Sequence, residues 1–284
     1  MEKFNYLDSI FMSVKEVLTK PILLVPFLVS VILGILFEVW NIQFTENPID
    51  FTVAAGGGAL ALFLIGYIIY VLLLIFTTGM GLGAMKHEVE KKDTSVMAQV
   101  RGGANMFWRI LGLYFVQGLI IFVPVALVAF LIMVAVTPPV NLFLLLLAIV
   151  IAFAVLAFFI FLVLAFFYAS VNIAYGTGPI NALKFSYRAM RQNTKHVVFS
   201  FLSMLLLVII VIIVIVGISI MVGIGIGIGN PEAAEEGIPL GVQVVFNGIT
   251  SLIMMPFSAA MTLYIFRSFK ALPVKKPDFY PKVK

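Results

Sequence analysis

Residues 142–172 read LFLLLLAIVIAFAVLAFFIFLVLAFFYASVN, a stretch without a single charged side chain. About 20 apolar residues wound as a helix cross a hydrocarbon core of about 30 Å, so the length and character of this run predict a membrane span. Inside a bilayer every backbone N–H and C=O must be paired within the segment, which makes the span a helix. Working outward, five further runs reach or approach the same length, at 21–40, 54–85, 107–135, 197–228 and 243–268. Several are longer than the minimum, which calls for tilt or protrusion into the headgroups and not for extra crossings. The reading is an all-α polytopic membrane helical bundle with six transmembrane helices. It forms one transmembrane domain over 1–268, followed by a basic tail, 269–284.

The composition agrees. Of 284 residues, 63% are hydrophobic and 11% charged, which separates the chain from ordinary soluble domains. A net charge of +5 raises the question of nucleic acid, but the basic residues sit in short segments beside apolar runs, where membrane topology accounts for them. No nucleic-acid partner is expected. The chain contains no cysteine, which excludes disulfides, thiolate metal sites and cysteine nucleophiles. Its first twenty residues lack the unbroken apolar core of a cleaved signal peptide, so span one is expected to act as its own insertion signal.

Pro, Gly and Asn mark turns at Asn41 to Thr52, at Thr137-Pro138-Pro139 and at Gly229 to Gly241. These turns hold no lysine or arginine. Together with the end of span one they carry Glu38, Glu46, Asp50, Glu232, Glu235 and Glu236. All 18 basic residues lie in the N-terminal segment, in 86–109, in 184–195 or at the C-terminal end. Basic residues near span ends are retained in the cytoplasm, and this partition requires an even number of spans. The expected location is the cell membrane, multi-pass, with both termini cytoplasmic.

A polar amphipathic segment precedes each odd-numbered span. Leu7, Ile10, Phe11, Val14 and Leu18 share one helix face. Met97, Val100, Ala104 and Phe107 or Trp108 form a poorer stripe, interrupted by Gly102-Gly103. In the third segment Ile180, Leu183, Tyr187 and Met190 form an apolar face, and Lys184, Arg188, Arg191 and Lys195 form a basic stripe on another. Such helices are expected to lie in the cytoplasmic interface. Threefold repetition of a helical hairpin would produce this order, as would any six-span protein with cytoplasmic helices.

Chemistry-bearing residues are sparse. No Asp, Glu, Lys, Arg or His falls inside a span away from its ends, which argues against proton- or ion-coupled transport. Arg109 beside Trp108, and Glu38 near Trp40, read as interfacial anchors. Gln117 and Asn247 are the amides placed at depth. Both share a span with an interior proline, Pro124 and Pro256, so they mark a candidate intramembrane polar site as well as possible interhelical hydrogen bonds. Gly223, Gly225, Gly227 and Gly229, and Gly79 with Gly83, have the spacing of close helix contacts. KHEVEKKD at 86–93 reads as a solvated segment, and no cofactor or metal is expected.

The segment GPINALKFSYRAMRQNTKHVVFSFL, through Ala182, Ser186, Arg188 and Arg191 ahead of a long apolar run, resembles a loose group of six-span prokaryotic membrane proteins. That group includes the membrane domain of some glycerophosphodiester phosphodiesterases and YciC-like proteins. The resemblance implies a helical bundle with no activity of its own and supplies no site residue. Two functions are weighed. One is a non-enzymatic integral membrane protein that binds a protein partner or inner-leaflet lipid through Lys184, Arg188, Arg191 and Lys195. The other is a permease-like component moving an apolar or lipid-like solute past Gln117 and Asn247.

Overall fold

The computed structural model of the chain describes residues 4–45, 58–137, 142–229 and 240–272. Helix accounts for 91% of the described residues, and no strand occurs among them. The helices are α1 (Tyr6–Thr19), α2 (Val25–Thr45), α3 (Gly58–Val89), α4 (Val96–Val136), α5 (Leu142–Phe166), α6 (Ala169–Ala174), α7 (Pro179–Gln192), α8 (Thr194–Gly229) and α9 (Leu240–Lys270). A 3₁₀ turn, Pro21–Leu24, joins α1 to α2. Six helical stretches are long and apolar enough to cross a membrane: Pro21–Asn41, Ala61–Val89, Val96–Ala135, Leu146–Ala174, Thr194–Gly217 and Val244–Lys270. They fall on the six runs read from the sequence.

Most of the turns expected between spans, and the tail beyond Leu272, lie outside the described residues, and Glu46, Asp50, Glu232, Glu235 and Glu236 lie there too. So do the side-chain surroundings of Gly223, Gly225, Gly227 and Gly229.

Local chemistry sets several boundaries. Asn5 caps α1, its side chain accepting a hydrogen bond from the Asp8 N–H at 3.3 Å. Proline opens both the 3₁₀ turn and α7, where its missing N–H is no loss. Where a separate interfacial helix was expected before the third span, the structure has one continuous helix, Val96–Val136. Gly102-Gly103 does not break it. A Cβ on Gly103 would stand 3.0 Å from the Phe76 carbonyl oxygen and 2.8 Å from Met80 Cγ, so the glycine lets α4 press against α3.

Contacts gather into two compact units, one formed by 1–105 and 202–270, the other by 106–201 and 271–284. In the first unit α9 packs against α1, α2 and α3, and α2 packs against α3. Ile10, Leu207, Val211 and Tyr264 form a buried cluster, with Val14, Met254 and Phe257 against it. The α2–α3 contact is aromatic: Phe37 stacks on Tyr70 with centroids 4.2 Å apart, and Trp40 stacks on Phe63 over the bare backbone of Gly66.

The expected apolar face of α1 is split in two. Ile10 is buried together with Ser13 and Val17, whereas Leu7, Phe11 and Leu18 stay exposed. Ser13 is buried because the Arg267 guanidinium of α9 donates a hydrogen bond to its hydroxyl, at 3.1 Å, and also pairs with Glu16. Large apolar side chains such as Phe115, Phe122, Phe143 and Phe153 are exposed along the spans, the surface a bilayer covers and water would penalise.

In the second unit α5 and α6 pack against α7. The buried face of α7 is Ala182, Leu183, Phe185, Ser186 and Ala189. This is a true helical stripe, rotated from the expected one. Ile180 and Tyr187 point outward, and the Tyr187 ring meets Phe161 of α5 edge-on at 6.3 Å.

Candidate functional site

The turn that leads into α7 is a built structure. Tyr168 is fully buried, and its N–H donates to Ser186 Oγ at 3.1 Å, which fixes the chain leaving α5 against the middle of α7. Asn172, also fully buried, donates from Nδ2 to the Tyr168 carbonyl at 2.8 Å. The Thr177 hydroxyl then donates to the Asn172 carbonyl at 2.5 Å. Burying the Asn172 and Ser186 side chains is tolerable because each has a partner. Between them the backbone reverses at Gly176, whose φ of +95° lies in the region open to glycine and strained for other residues.

Small residues then bring α4 close. A Cβ on Gly112 would stand 2.9 Å from Pro179 Cγ, so α4 approaches the first turn of α7 at a distance only glycine permits. One turn earlier on α4, Arg109 lies over Gly176, its Nη1 3.6 Å from where a Cβ would stand. Arg109, read from the sequence as an interfacial anchor, also lies against Gly176 of this turn.

A cavity of about 330 Å³ opens here, lined by Gly176, Thr177, Asn181, Lys184, Phe185 and Arg188 among others. Lys184 and Arg188, four residues apart, stand on the same face of α7. No carboxylate lines the cavity. Among the described residues, Lys184, Arg188 and Arg109 take part in no ion pair. Lys20, Lys92 and Arg267 show the contrast: they pair with Glu88 at 2.5 Å, with Glu90 at 2.7 Å and with Glu16 respectively. The hydrogen bond to Glu88 holds the Lys20 ammonium above the usual lysine range. Gly178 provides no side-chain cap, so the first N–H groups of α7 add positive potential to the same corner.

The basic stripe is therefore divided. All four side chains are exposed, but Lys184 and Arg188 line the cavity whereas Arg191 and Lys195 do not. Arg191, in the last turn of α7, complements the negative end of that helix.

The two candidate amides belong to different units, Asn247 to the first and Gln117 to the second. Asn247 donates from Nδ2 to the Glu38 carboxylate at 2.5 Å, bridging α9 and α2 near their Trp40 end. Gln117 is half-buried in α4. Polar atoms in the first unit gather elsewhere, where the Ser30 hydroxyl donates to Thr77 Oγ1 at 2.7 Å beside a cavity of about 140 Å³ that also touches Pro26, Thr78 and Thr262.

Sequence reasoning passed over Gln99, which is buried at 1% exposure and donates to the carbonyls of Ile22, at 2.9 Å, and Thr94, at 3.0 Å. It also passed over Asn172 and the Gly176 turn, although the run YGTGP carries a clear turn signal. The chain matches no protein family, and comparison with curated proteins and with solved structures finds no match.

Proposed function

We propose that this chain is a non-enzymatic binding protein of the cell membrane that holds the anionic headgroup of a cytoplasmic-leaflet lipid in the cavity at the start of α7. The observation that carries the reading is the cavity itself: two cationic side chains line it, a third stands at its mouth, and none of the three has a carboxylate partner among the described residues. Two cations four residues apart on one helix face, beside the N–H end of α7, act together on one anion. Next in sequence to Arg109 and Asn181, the apolar side chains of Trp108 and Ile180 are 75% and 59% exposed, surface suited to lipid tails. The placement of every basic residue on one side of the spans supports a cytoplasmic position for α7 and for both termini.

Native mass spectrometry of the full chain in a neutral detergent tests this, with phosphatidylglycerol as the anionic lipid and phosphatidylcholine as the neutral one. Lys184→Gln with Arg188→Gln is expected to weaken retention of the anionic lipid about tenfold or more. Arg191→Gln with Lys195→Gln, which removes the same charge outside the cavity, is expected to change it by less than about threefold. Equal losses from the two pairs would reduce the effect to bulk charge and refute the site.

A further inference from the structure

We infer that the cavity is matched to a phosphate monoester at the end of a lipid, a doubly charged headgroup, and that Arg109 is the residue that distinguishes it from the singly charged phosphodiesters of bulk lipid. The inference rests on the lipid-binding reading above and adds the class of headgroup. Lys184 and Arg188 of α7 line the cavity, and Arg109 of α4 stands against Gly176, which lines it too, with no carboxylate among the lining residues. A phosphodiester carries one negative charge and leaves two of these cations without a counter-charge. A phosphate monoester carries about −1.5 to −2 at neutral pH, its second pKa being about 6, and presents three terminal oxygens to three donors. Cations around it hold it in the dianionic form.

At about 330 Å³ the cavity admits a phosphate group. Its construction fixes the geometry. Gly112 admits Pro179, Gly176 turns the chain beneath the Arg109 guanidinium, and the buried Tyr168–Ser186 hydrogen bond ties the turn to α7. Arg109 is thus held against the Gly176 wall of the cavity, although it is far from that wall in sequence. A guanidinium presents paired N–H donors suited to phosphate oxygens.

The test is a titration of the full chain in neutral detergent with four probes: short-chain phosphatidic acid, phosphatidylglycerol of the same chain length, glycerol phosphate and phosphatidylcholine. Phosphatidic acid is expected to bind on the order of tenfold more tightly than phosphatidylglycerol at pH 7.5. That preference should shrink at about pH 5, where the monoester loses its second charge. Arg109→Gln should bring phosphatidic acid down to the level of phosphatidylglycerol and leave the latter within about threefold, whereas Arg109→Lys should retain part of the preference. Equal affinity for the two anionic lipids at both pH values overturns the inference and leaves the lipid-binding reading standing. Failure of both to exceed phosphatidylcholine overturns the reading and the inference together. Glycerol phosphate binding as tightly as phosphatidic acid overturns the lipid assignment in favour of a soluble phosphate ester.

Discussion

The Arg109 guanidinium lies against Gly176, with Nη1 3.6 Å from the position a Cβ would take there. The contact alone leaves room for a methyl group, so the constraint at residue 176 is its backbone, with φ at +95°. Gly176→Ala is expected to destabilise the turn by about 1–2 kcal/mol through the left-handed conformation it forces on an alanine. Thermal unfolding in detergent measures the loss. Anionic-lipid retention should fall with it, since the turn forms one wall of the cavity.

Gly112 imposes a steric constraint of a different kind. A Cβ there meets Pro179 Cγ at 2.9 Å, and a proline ring in the first turn of a helix has little freedom to yield. Gly112→Val is expected to displace the start of α7, costing about 1–3 kcal/mol in overpacking. Gly118, on the same helix, has nothing within 4 Å of its Cβ position, so Gly118→Ala should be neutral or slightly stabilising through helix propensity.

In the first unit the test position is Gln99. Its amide donates to the carbonyls of Ile22 and Thr94 while buried, and Gln99→Leu removes both bonds, leaving the Ile22 carbonyl only its bond from the Val25 N–H. A loss of about 1–3 kcal/mol is expected in an unfolding titration. An unchanged midpoint would mean that water or a neighbouring donor replaces the amide.

Lys20 gives a pH-dependent prediction with a definite sign. Its folded pKa is raised above the ordinary 10.5, chiefly by the hydrogen bond to Glu88, so the bound ammonium favours the folded state. That contribution is fully present below pH 10.5 and is lost as pH rises through the raised folded value. The lysine side chain is 47% exposed, so solvent screening limits the pair to at most about 1 kcal/mol. Lys20→Met should therefore differ little from the parent chain at neutral pH, and the small difference should vanish in strong alkali. Unfolding midpoints measured across that range check it.

The spans were legible because a bilayer demands length and apolarity together, and runs such as 142–172 satisfy both without help from the rest of the chain. Lys184 and Arg188 were legible as a basic stripe because helical spacing puts them on one face. What the sequence could not show was the cavity, since its depth depends on Tyr168, Ser186 and Asn172, ordinary polar residues whose partners are set by packing. The contact of Arg109 with Gly176 was hidden for a related reason: beside Trp108 the arginine has the pattern of an anchor, and the approach of Gly112 to Pro179 brings it to Gly176. Ser13 and Gln99 show the same limit: each is buried because a distant residue, Arg267 or Ile22, supplies a partner. On α7 the apolar face read from the sequence, Ile180, Leu183, Tyr187 and Met190, coincides only in part with the packed one: Leu183 is buried with Ala182, Phe185 and Ala189, whereas Ile180 and Tyr187 are exposed.

The grip of Arg267 on Ser13 and Glu16 has a consequence for how the chain is made. The helix α1 leaves the ribosome long before α9 does, yet α9 holds its principal packing surface and its ionic partner. Through most of synthesis α1 must therefore wait with Ile10, Ser13 and Val17 uncovered by α9. Its docking closes the assembly by bringing elements far apart in synthesis into a single joint. A chain truncated before α9 would leave that joint open and present quality-control proteases with an exposed amphipathic helix.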